Sequence, residues 1–223
     1  LLAQVDSSVG GKVAVDLPQG KNLAGAFYQP SLVLIDPTVL DTLAPHFVSD
    51  GMGEVIKYGC IKDAGLFELL RSHRSFADLQ PELPSVITRC VDIKRQVVEA
   101  DQFDTGERML LNFGHTLAHA IEQYHNYQKE SHGEAVSIGM YQICRLAEEK
   151  GLTREGTAEK ILEVLNIYGL AHSCGLSLAD LLGAMSRDKK NLHGSLNLIL
   201  LDEIGKSRIY PTSTGFFPLE RTI

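Results

Sequence analysis

Cysteine is scarce in this sequence: Cys60, Cys90, Cys144 and Cys174 lie far apart, with no Cys-x-x-Cys pair. That spacing excludes a zinc ribbon and a disulfide framework and fits a reducing, cytoplasmic setting. No apolar run approaches the roughly 20 residues of a membrane-spanning helix, and no secretory signal opens the chain, so no membrane association is expected. Positive charge is also short, with 21 Lys and Arg against 28 Asp and Glu and a formal net charge of −7. A general nucleic-acid surface is therefore not expected, although local basic clusters remain compatible with that balance. Internal repeats and low-complexity stretches are absent too. The first residue is Leu rather than Met, and the sequence is expected to continue upstream.

What is present is a chain of 223 residues, 44% hydrophobic, enough to bury a sizeable core. Residues 1–46 are rich in Gly and Pro and hold the run Leu32-Val33-Leu34-Ile35-Asp36, which reads as a buried strand closed by Pro37. From Ser49 onward the periodicity becomes helical, with helices expected near 50–61, 64–73, 82–100, 106–125, 132–150, 155–168 and 178–188. The stretch Leu79 to Pro84 reads as a turn between helices. Near the end, 195–201 and 206–210 read as two short strands, a small β appendage. The expected fold is mostly α.

One helical stripe stands out. Arg108, Asn112, His115, His119 and Glu122 recur at helical spacing and, at roughly 100° per residue, fall within an arc of about 80° on one face of the expected 106–125 helix. Met109, Leu110, Leu111, Phe113, Leu117, Ala118 and Ile121 occupy the other side. A solvated stripe is normally rich in Lys and Glu, whereas this one carries two imidazoles, a carboxamide, a guanidinium and one carboxylate.

Metal ligands can be assembled around that stripe. Ser131-His132-Gly133-Glu134 fits a capping box, with Ser131 as the N-cap. His132 then sits in the first helical turn, where the helix dipole disfavours its protonated form and leaves it able to coordinate a cation. Glu54 is a third candidate, although its i, i+3 spacing from Lys57 equally suits a helix salt bridge. Glu plus two His suits a catalytic zinc with an open position. His115 and His119 at i, i+4 offer two alternatives: they chelate one ion together, or one binds metal and the other acts on substrate. The segment lacks the Glu of His-Glu-x-x-His, which disfavours a metalloprotease.

Anion-binding groups lie nearby. Lys12 follows Gly10-Gly11 and Lys21 follows Gly20, an arrangement suited to cradling phosphate. Val5 and Val13 stand where a P-loop needs Gly and Ser or Thr, so nucleoside triphosphate chemistry is not expected. Lys57, Lys94, Arg108 and the Asp188-Lys189-Lys190 cluster add point charges and a guanidinium fork for phosphate or carboxylate. Together they favour a small, anionic, polyhydroxylated ligand.

Five segments in order now carry a resemblance: Ala3–Lys12; Gly20-Lys21-Asn22 with Gly25-Ala26-Phe27-Tyr28-Gln29-Pro30; Glu54–Gly59; Leu111–Thr116; and His132–Val136. Together they closely resemble the 3-dehydroquinate synthase family, across essentially the whole chain. The resemblance implies the C-terminal two thirds of such an enzyme, with the N-terminal part missing. It implies a remnant of a Rossmann-like, NAD-binding α/β domain over 1–46 and an α-helical metal- and substrate-binding domain over 47–223.

For the site, the resemblance implies that Glu54, His115 and His132 hold one zinc ion, with cobalt an alternative. Asp6, Lys12, Lys57, Lys94, Arg108, Asn112 and His119 would surround the substrate, Lys12, Asn22, Asn112 and Lys189 or Lys190 meeting its phosphate and Lys94 and Arg108 its carboxylate. Asp6, Lys12, Lys21, Asn22, Thr42 and Leu43 would line the NAD site. The chain departs from the family after Asp101, where Gln102 lacks a carboxylate and Asp104 carries one on a shorter side chain. The implied activity is a phosphate-eliminating carbon–oxygen lyase of the shikimate pathway, cytoplasmic and homodimeric. It would convert 3-deoxy-D-arabino-heptulosonate 7-phosphate to 3-dehydroquinate, using NAD catalytically. Alternatives are another sugar-phosphate cyclase, a metal-dependent polyol dehydrogenase, or a metal-binding helical module without turnover.

Overall fold

The computed structural model describes residues 1–17, 20–186 and 196–223. A π-helical turn at Ala3–Ser7 opens the chain, followed by strands β1 (Lys12–Leu17) and β2 (Gly20–Phe27), an antiparallel pair with Lys12 opposite Phe27. A 3-10 turn at Pro37–Thr42 leads to helices α1 (Pro45–Lys62), α2 (Ala64–Ser72), α3 (Phe76–Leu79) and α4 (Leu83–Ala100). A 3-10 segment at Glu107–Asn112 precedes α5 (His115–Tyr124), α6 (His132–Glu149), α7 (Thr157–Ile167) and α8 (Leu178–Ser186). Strands β3 (Leu196–Glu203) and β4 (Lys206–Thr212) pair antiparallel near the C-terminus. The fold is mostly α, with an N-terminal strand pair consistent with the remnant of an α/β domain and a C-terminal β appendage.

Helix α1 is the central element, packed against α2, α4, α6 and β4. Met52, Val55, Ile56, Tyr58, Cys60 and Ile61 are all buried, and so are Glu54 and Lys57 between them, so the helix is covered on every side and carries a charged pair within an otherwise apolar surface. Pro45 starts it at a position where a missing N–H costs nothing. Asp63 ends α1 and caps α2, accepting from the Leu66 N–H at 2.9 Å while Arg89 from α4 grips its carboxylate through two nitrogens. The capping box of α6 is formed: Ser131 Oγ accepts from the Glu134 N–H, and Glu134 accepts from the Ser131 N–H at 2.9 Å.

Two glycine contacts set how closely the helices approach. A Cβ on Gly133 would lie 2.0 Å from the Asp50 carbonyl oxygen, and one on Gly53 would lie 2.7 Å from that of Gly133, so α1 and α6 touch backbone to backbone. A Cβ on Gly139 would lie 2.0 Å from the Gly114 carbonyl oxygen. Gly114 has φ +81°, a left-handed conformation, and it sits directly on α6.

That glycine corrects an expectation. The single helix expected over 106–125 is broken into the 3-10 segment and α5, because Gly114 turns the chain at their junction. Arg108 and Asn112 therefore do not share a helix face with His115, His119 and Glu122. A second correction concerns Leu32 to Asp36, expected as a buried strand: among the described residues no strand pairs with it, and Leu32 and Leu34 are more than four-fifths exposed. The glycine-rich segments around Lys12 and Lys21, expected as a phosphate cradle, lie in the β1–β2 pair. No helix among the described residues is long and apolar enough to cross a membrane.

Candidate active site

Helices α1, α5 and α6 each bring one ligand-bearing side chain to a common point. Glu54, His115 and His132 present one ligand atom apiece, all within 4.8 Å of one another. Glu54 Oε1 lies 3.5 Å from His115 Nε2 and 3.3 Å from His132 Nε2. The close approach at Gly53 and Gly133 puts Glu54 beside His132, since each is sequence-adjacent to its glycine; the Gly114 turn starts α5 so that His115 joins them. Asp50 accepts from the Gly133 N–H and fixes the first turn of α6.

The ring nitrogens are oriented by their far sides. His115 Nδ1 lies 3.1 Å from the Phe113 carbonyl oxygen, so it carries the proton and leaves the Nε2 lone pair toward Glu54. His132 Nδ1 lies 3.3 Å from Glu122 Oε1. Both Glu54 carboxylate oxygens are buried: Oε2 meets the Lys57 ammonium, and Oε1 faces both imidazoles. A buried carboxylate facing two imidazole nitrogens is the donor set a divalent cation would complete, and the residues fit such an ion.

Electrostatics separate the two imidazoles. Burial, reinforced by the Lys57 charge, pushes His115 down to about 3 and keeps it neutral. Burial opposes charge on His132 as well, but hydrogen bonding to Glu122 and Glu54 outweighs it and raises the group to about 10. Burial disfavours the Glu54 carboxylate, yet Lys57 and the two histidines hold it ionised, below the usual carboxylate range. Lys57 keeps its charge for the reciprocal reason: Glu54 and Asp6 overcome its desolvation.

Beside this cluster is a cleft of about 100 Å³ lined by Asp6, Lys12, Lys57, Lys94, Arg108, Asn112 and His115, together with Leu111. Lys94 is buried and its ammonium donates to the Asp6 carbonyl at 2.5 Å and faces the Asp6 carboxylate at 3.1 Å. Burial lowers its pKa, partly offset by Asp6. Lys12, at the start of β1, is half-exposed and paired with Asp104. Arg108 is buried, with its two terminal nitrogens donating to the Gln102 carbonyl at 2.6 Å and the Gly10 carbonyl at 2.7 Å. Its fork thus ties the 101–108 loop to the turn before β1.

The other residues singled out by sequence lie as follows. His119 is exposed on α5, its ring centroid 5.5 Å from that of His115. Lys21 and Asn22 fall in β2. Thr42 and Leu43 end the 3-10 turn before α1 and do not line the cleft. Lys189 and Lys190 lie outside the described residues. Two contributors, Tyr58 and Asp101, are given no role by the sequence, and Asp104 stands there only as a departure from the family. Buried Tyr58 donates its hydroxyl to Asp6. Asp101 accepts from the backbone N–H groups of Thr105, Gly106 and Arg108 and so shapes the loop that carries Arg108. Asp104 takes a left-handed φ of +61° to reach Lys12. The Thr105-Gly106 turn four residues on is the local signal for Asp101, and Tyr58 has none.

A family model described as 3-dehydroquinate synthase C-terminal matches residues 51–191, and one described as 3-dehydroquinate synthase N-terminal matches residues 1–50. The chain belongs to the 3-dehydroquinate synthase family. The match over residues 1–50 overturns the expectation that the family's N-terminal part is missing: the Asp6 turn and the β1–β2 pair fall within it, and both parts of the family are represented. Among curated relatives, the chain is 57% identical over 218 residues to 3-dehydroquinate synthase of Clostridium perfringens (strain SM101 / Type A), covering 97% of this chain and 62% of that protein. Identity to 3-dehydroquinate synthase of Enterococcus faecalis (strain ATCC 700802 / V583) is 43% over 215 residues, 96% of this chain and 60% of that one. The chain spans about three fifths of the length of these relatives.

Solved structures of other enzymes share the fold of this chain. A 2-epi-5-epi-valiolone synthase from Streptomyces hygroscopicus subsp. jinggangensis 5008, with NAD+ and Zn2+ bound, matches with TM-score 0.82 and 27% identity over 94% of this chain and 59% of that one. A 2-deoxy-scyllo-inosose synthase complexed with carbaglucose-6-phosphate, NAD+ and Co2+ matches with TM-score 0.83 and 26% identity over 96% and 62%.

Proposed function

We propose that this chain performs the 3-dehydroquinate synthase reaction, converting 3-deoxy-D-arabino-heptulosonate 7-phosphate to 3-dehydroquinate and phosphate. The observation that carries the reading is the adjacency of the Glu54–His115–His132 cluster to a cleft walled by Lys12, Lys57, Lys94 and Arg108. Glu54, His115 and His132 would hold the metal; when bound, zinc or cobalt supplies Lewis acidity toward substrate hydroxyls and NAD reversible hydride acceptance.

The chain's own groups bind, orient and protect. Lys12 exchanges its Asp104 partner for the substrate phosphate, the more highly charged anion, and Asn112 adds a neutral donor at the same wall. Lys94, with its charge favoured by Asp6 and opposed by burial, faces the substrate carboxylate. Arg108 holds Gly10 and Gln102 in place and so shapes the same wall. Asp6, anchored by Tyr58 and Lys94, orients substrate hydroxyls by accepting their hydrogen bonds. His119, exposed at the edge and near His115, is placed to move a proton to or from a substrate hydroxyl. Positioning of this kind supplies up to about 7–11 kcal/mol of barrier lowering in the best intramolecular cases.

In this reading residues 1–46 serve the NAD side, through Asp6, Lys12, Lys21, Asn22, Thr42 and Leu43, and residues 47–223 the metal and substrate side. Four free cysteines, three of them buried, support a reducing cytoplasmic setting. The homodimer implied by the resemblance is checked by light scattering.

The test is incubation of the chain with NAD+, Zn2+ and 3-deoxy-D-arabino-heptulosonate 7-phosphate. Equal amounts of phosphate and 3-dehydroquinate, with no net NADH, are expected. NADH accumulation without phosphate would point to a dehydrogenase. Turnover only of an uncarboxylated sugar phosphate would indicate another cyclase, and metal binding without any turnover a helical binding module.

A further inference from the structure

Glu122 is a buried carboxylate with no part in the metal or substrate set described above. It lies on α5 seven residues after His115, two helical turns along the same face. That spacing carries it past the ligand cluster to the outer side of His132 on α6, where Glu122 Oε1 meets His132 Nδ1 at 3.3 Å. On the opposite side of the same ring, Nε2 points to Glu54 Oε1 at 3.3 Å. The imidazole is thus held between two carboxylates, one on each nitrogen.

We propose that Glu122 is the positioning residue for the metal site: by accepting the Nδ1 proton of His132 it fixes the tautomer whose Nε2 lone pair faces Glu54 and His115. Helix α5 then does two jobs with one face. Its first residue supplies a ligand, and its eighth orients the ligand contributed by α6. His115 receives the equivalent support from a backbone carbonyl, that of Phe113 at 3.1 Å, which no side-chain substitution removes. The Ser131–Glu134 capping box and Asp50 fix the backbone at the start of α6 but not the His132 ring, and without Glu122 that ring can rotate about χ2 so that either nitrogen faces inward. A carboxylate behind a ligating imidazole also raises the basicity of the metal-facing nitrogen.

This inference rests on the reading of Glu54, His115 and His132 as ligands. The experiment is Co2+ and Zn2+ titration of the metal-free chain, read by the visible absorption of bound Co2+ and by competition with a chromophoric chelator, for Glu122→Ala, Glu122→Gln and His115→Ala. Glu122→Ala is expected to weaken zinc binding about 10–100-fold and to change the Co2+ band shape. Glu122→Gln keeps an acceptor oxygen for the Nδ1 proton, and a loss below about 10-fold is expected. His115→Ala is expected to lose the ion. If His115→Ala binds metal as the parent does, the ligand reading fails and this proposal with it. If His115→Ala loses metal while both Glu122 variants keep the parental affinity and Co2+ spectrum, the positioning role alone is overturned. Should Glu122→Ala unfold, Glu122→Gln and Glu122→Asp decide by the same measurements, because parental affinity and spectrum in both would contradict the proposal.

Discussion

Gly53 and Gly133 meet where α1 crosses α6, so close that a Cβ on Gly53 would stand 2.7 Å from the Gly133 carbonyl oxygen. The residue after the first is Glu54, and the residue before the second is His132. Helix packing and metal-site geometry are therefore set by one contact. Gly133→Ala places a methyl group 2.0 Å from the Asp50 carbonyl, and the helices must part. The expected result is a loss of stability on the order of 1–3 kcal/mol or more, together with weakened metal binding. Denaturant unfolding and zinc titration of the variant check both; parental values in each would contradict the crossing.

Arg108→Lys separates anion recognition from metal binding. A lysine ammonium cannot span both the Gln102 and Gly10 carbonyls that the guanidinium holds. One buried carbonyl loses its partner, a cost of about 1–3 kcal/mol, and the wall of the cleft loosens. Substrate affinity should fall while zinc content stays at the parental level. Unchanged kinetic constants would contradict this account of Arg108.

Tyr58→Phe removes the hydroxyl that anchors Asp6 and leaves the buried ring in place. Asp6 keeps its contact with Lys94, so the variant should fold but hold Asp6 loosely, with a stability loss of about 1 kcal/mol and a larger effect on turnover. Thermal unfolding and steady-state assay separate the two effects. A variant with parental turnover would show that Asp6 does not need Tyr58.

Metal uptake should release protons. His132 is raised to about 10 in the metal-free protein, so at pH 7 it carries a proton that a cation must displace. The sign follows from the folded value exceeding the ordinary 6.5: the stabilisation from this charge is complete below pH 6.5 and is lost as pH rises through about 10. His115, lowered to about 3, acts oppositely; its contribution is intact above pH 6.5 and lost as pH falls toward 3. Zinc binding should therefore release about one proton at pH 7 and tighten as pH rises toward 10. Calorimetry in buffers of different ionisation enthalpy measures this, and identical heats in all buffers would contradict it.

What the sequence made legible was local. The α6 start is encoded within four residues, Ser131 to Glu134, and a short apolar run is enough to mark β3. The break at Gly114 was not legible, because its left-handed turn is stabilised by contact with Gly139 on another helix. Nor was the β1–β2 pair: the alternation of Val13, Val15 and Leu17 in β1 is short, and β2 interrupts its apolar residues with Gly20, Asn22 and Gly25, residues that otherwise mark turns. Leu32 to Asp36 shows the converse: an apolar run has strand character only when a neighbouring strand pairs with it. The ligand cluster spans three helices, and spacing alone left two pairings of histidines open. The resemblance singled out Glu54, His115 and His132, and the fold puts their ligand atoms within 4.8 Å of one another.

The central claim, a cation held by these three side chains beside an anion-binding cleft, is tested most directly by zinc content. The purified chain, reconstituted with zinc and freed of excess, is analysed by mass spectrometry for metal beside its His115→Ala variant. One ion per chain in the parent and none in the variant is the expected result; an equal content in both would contradict the account.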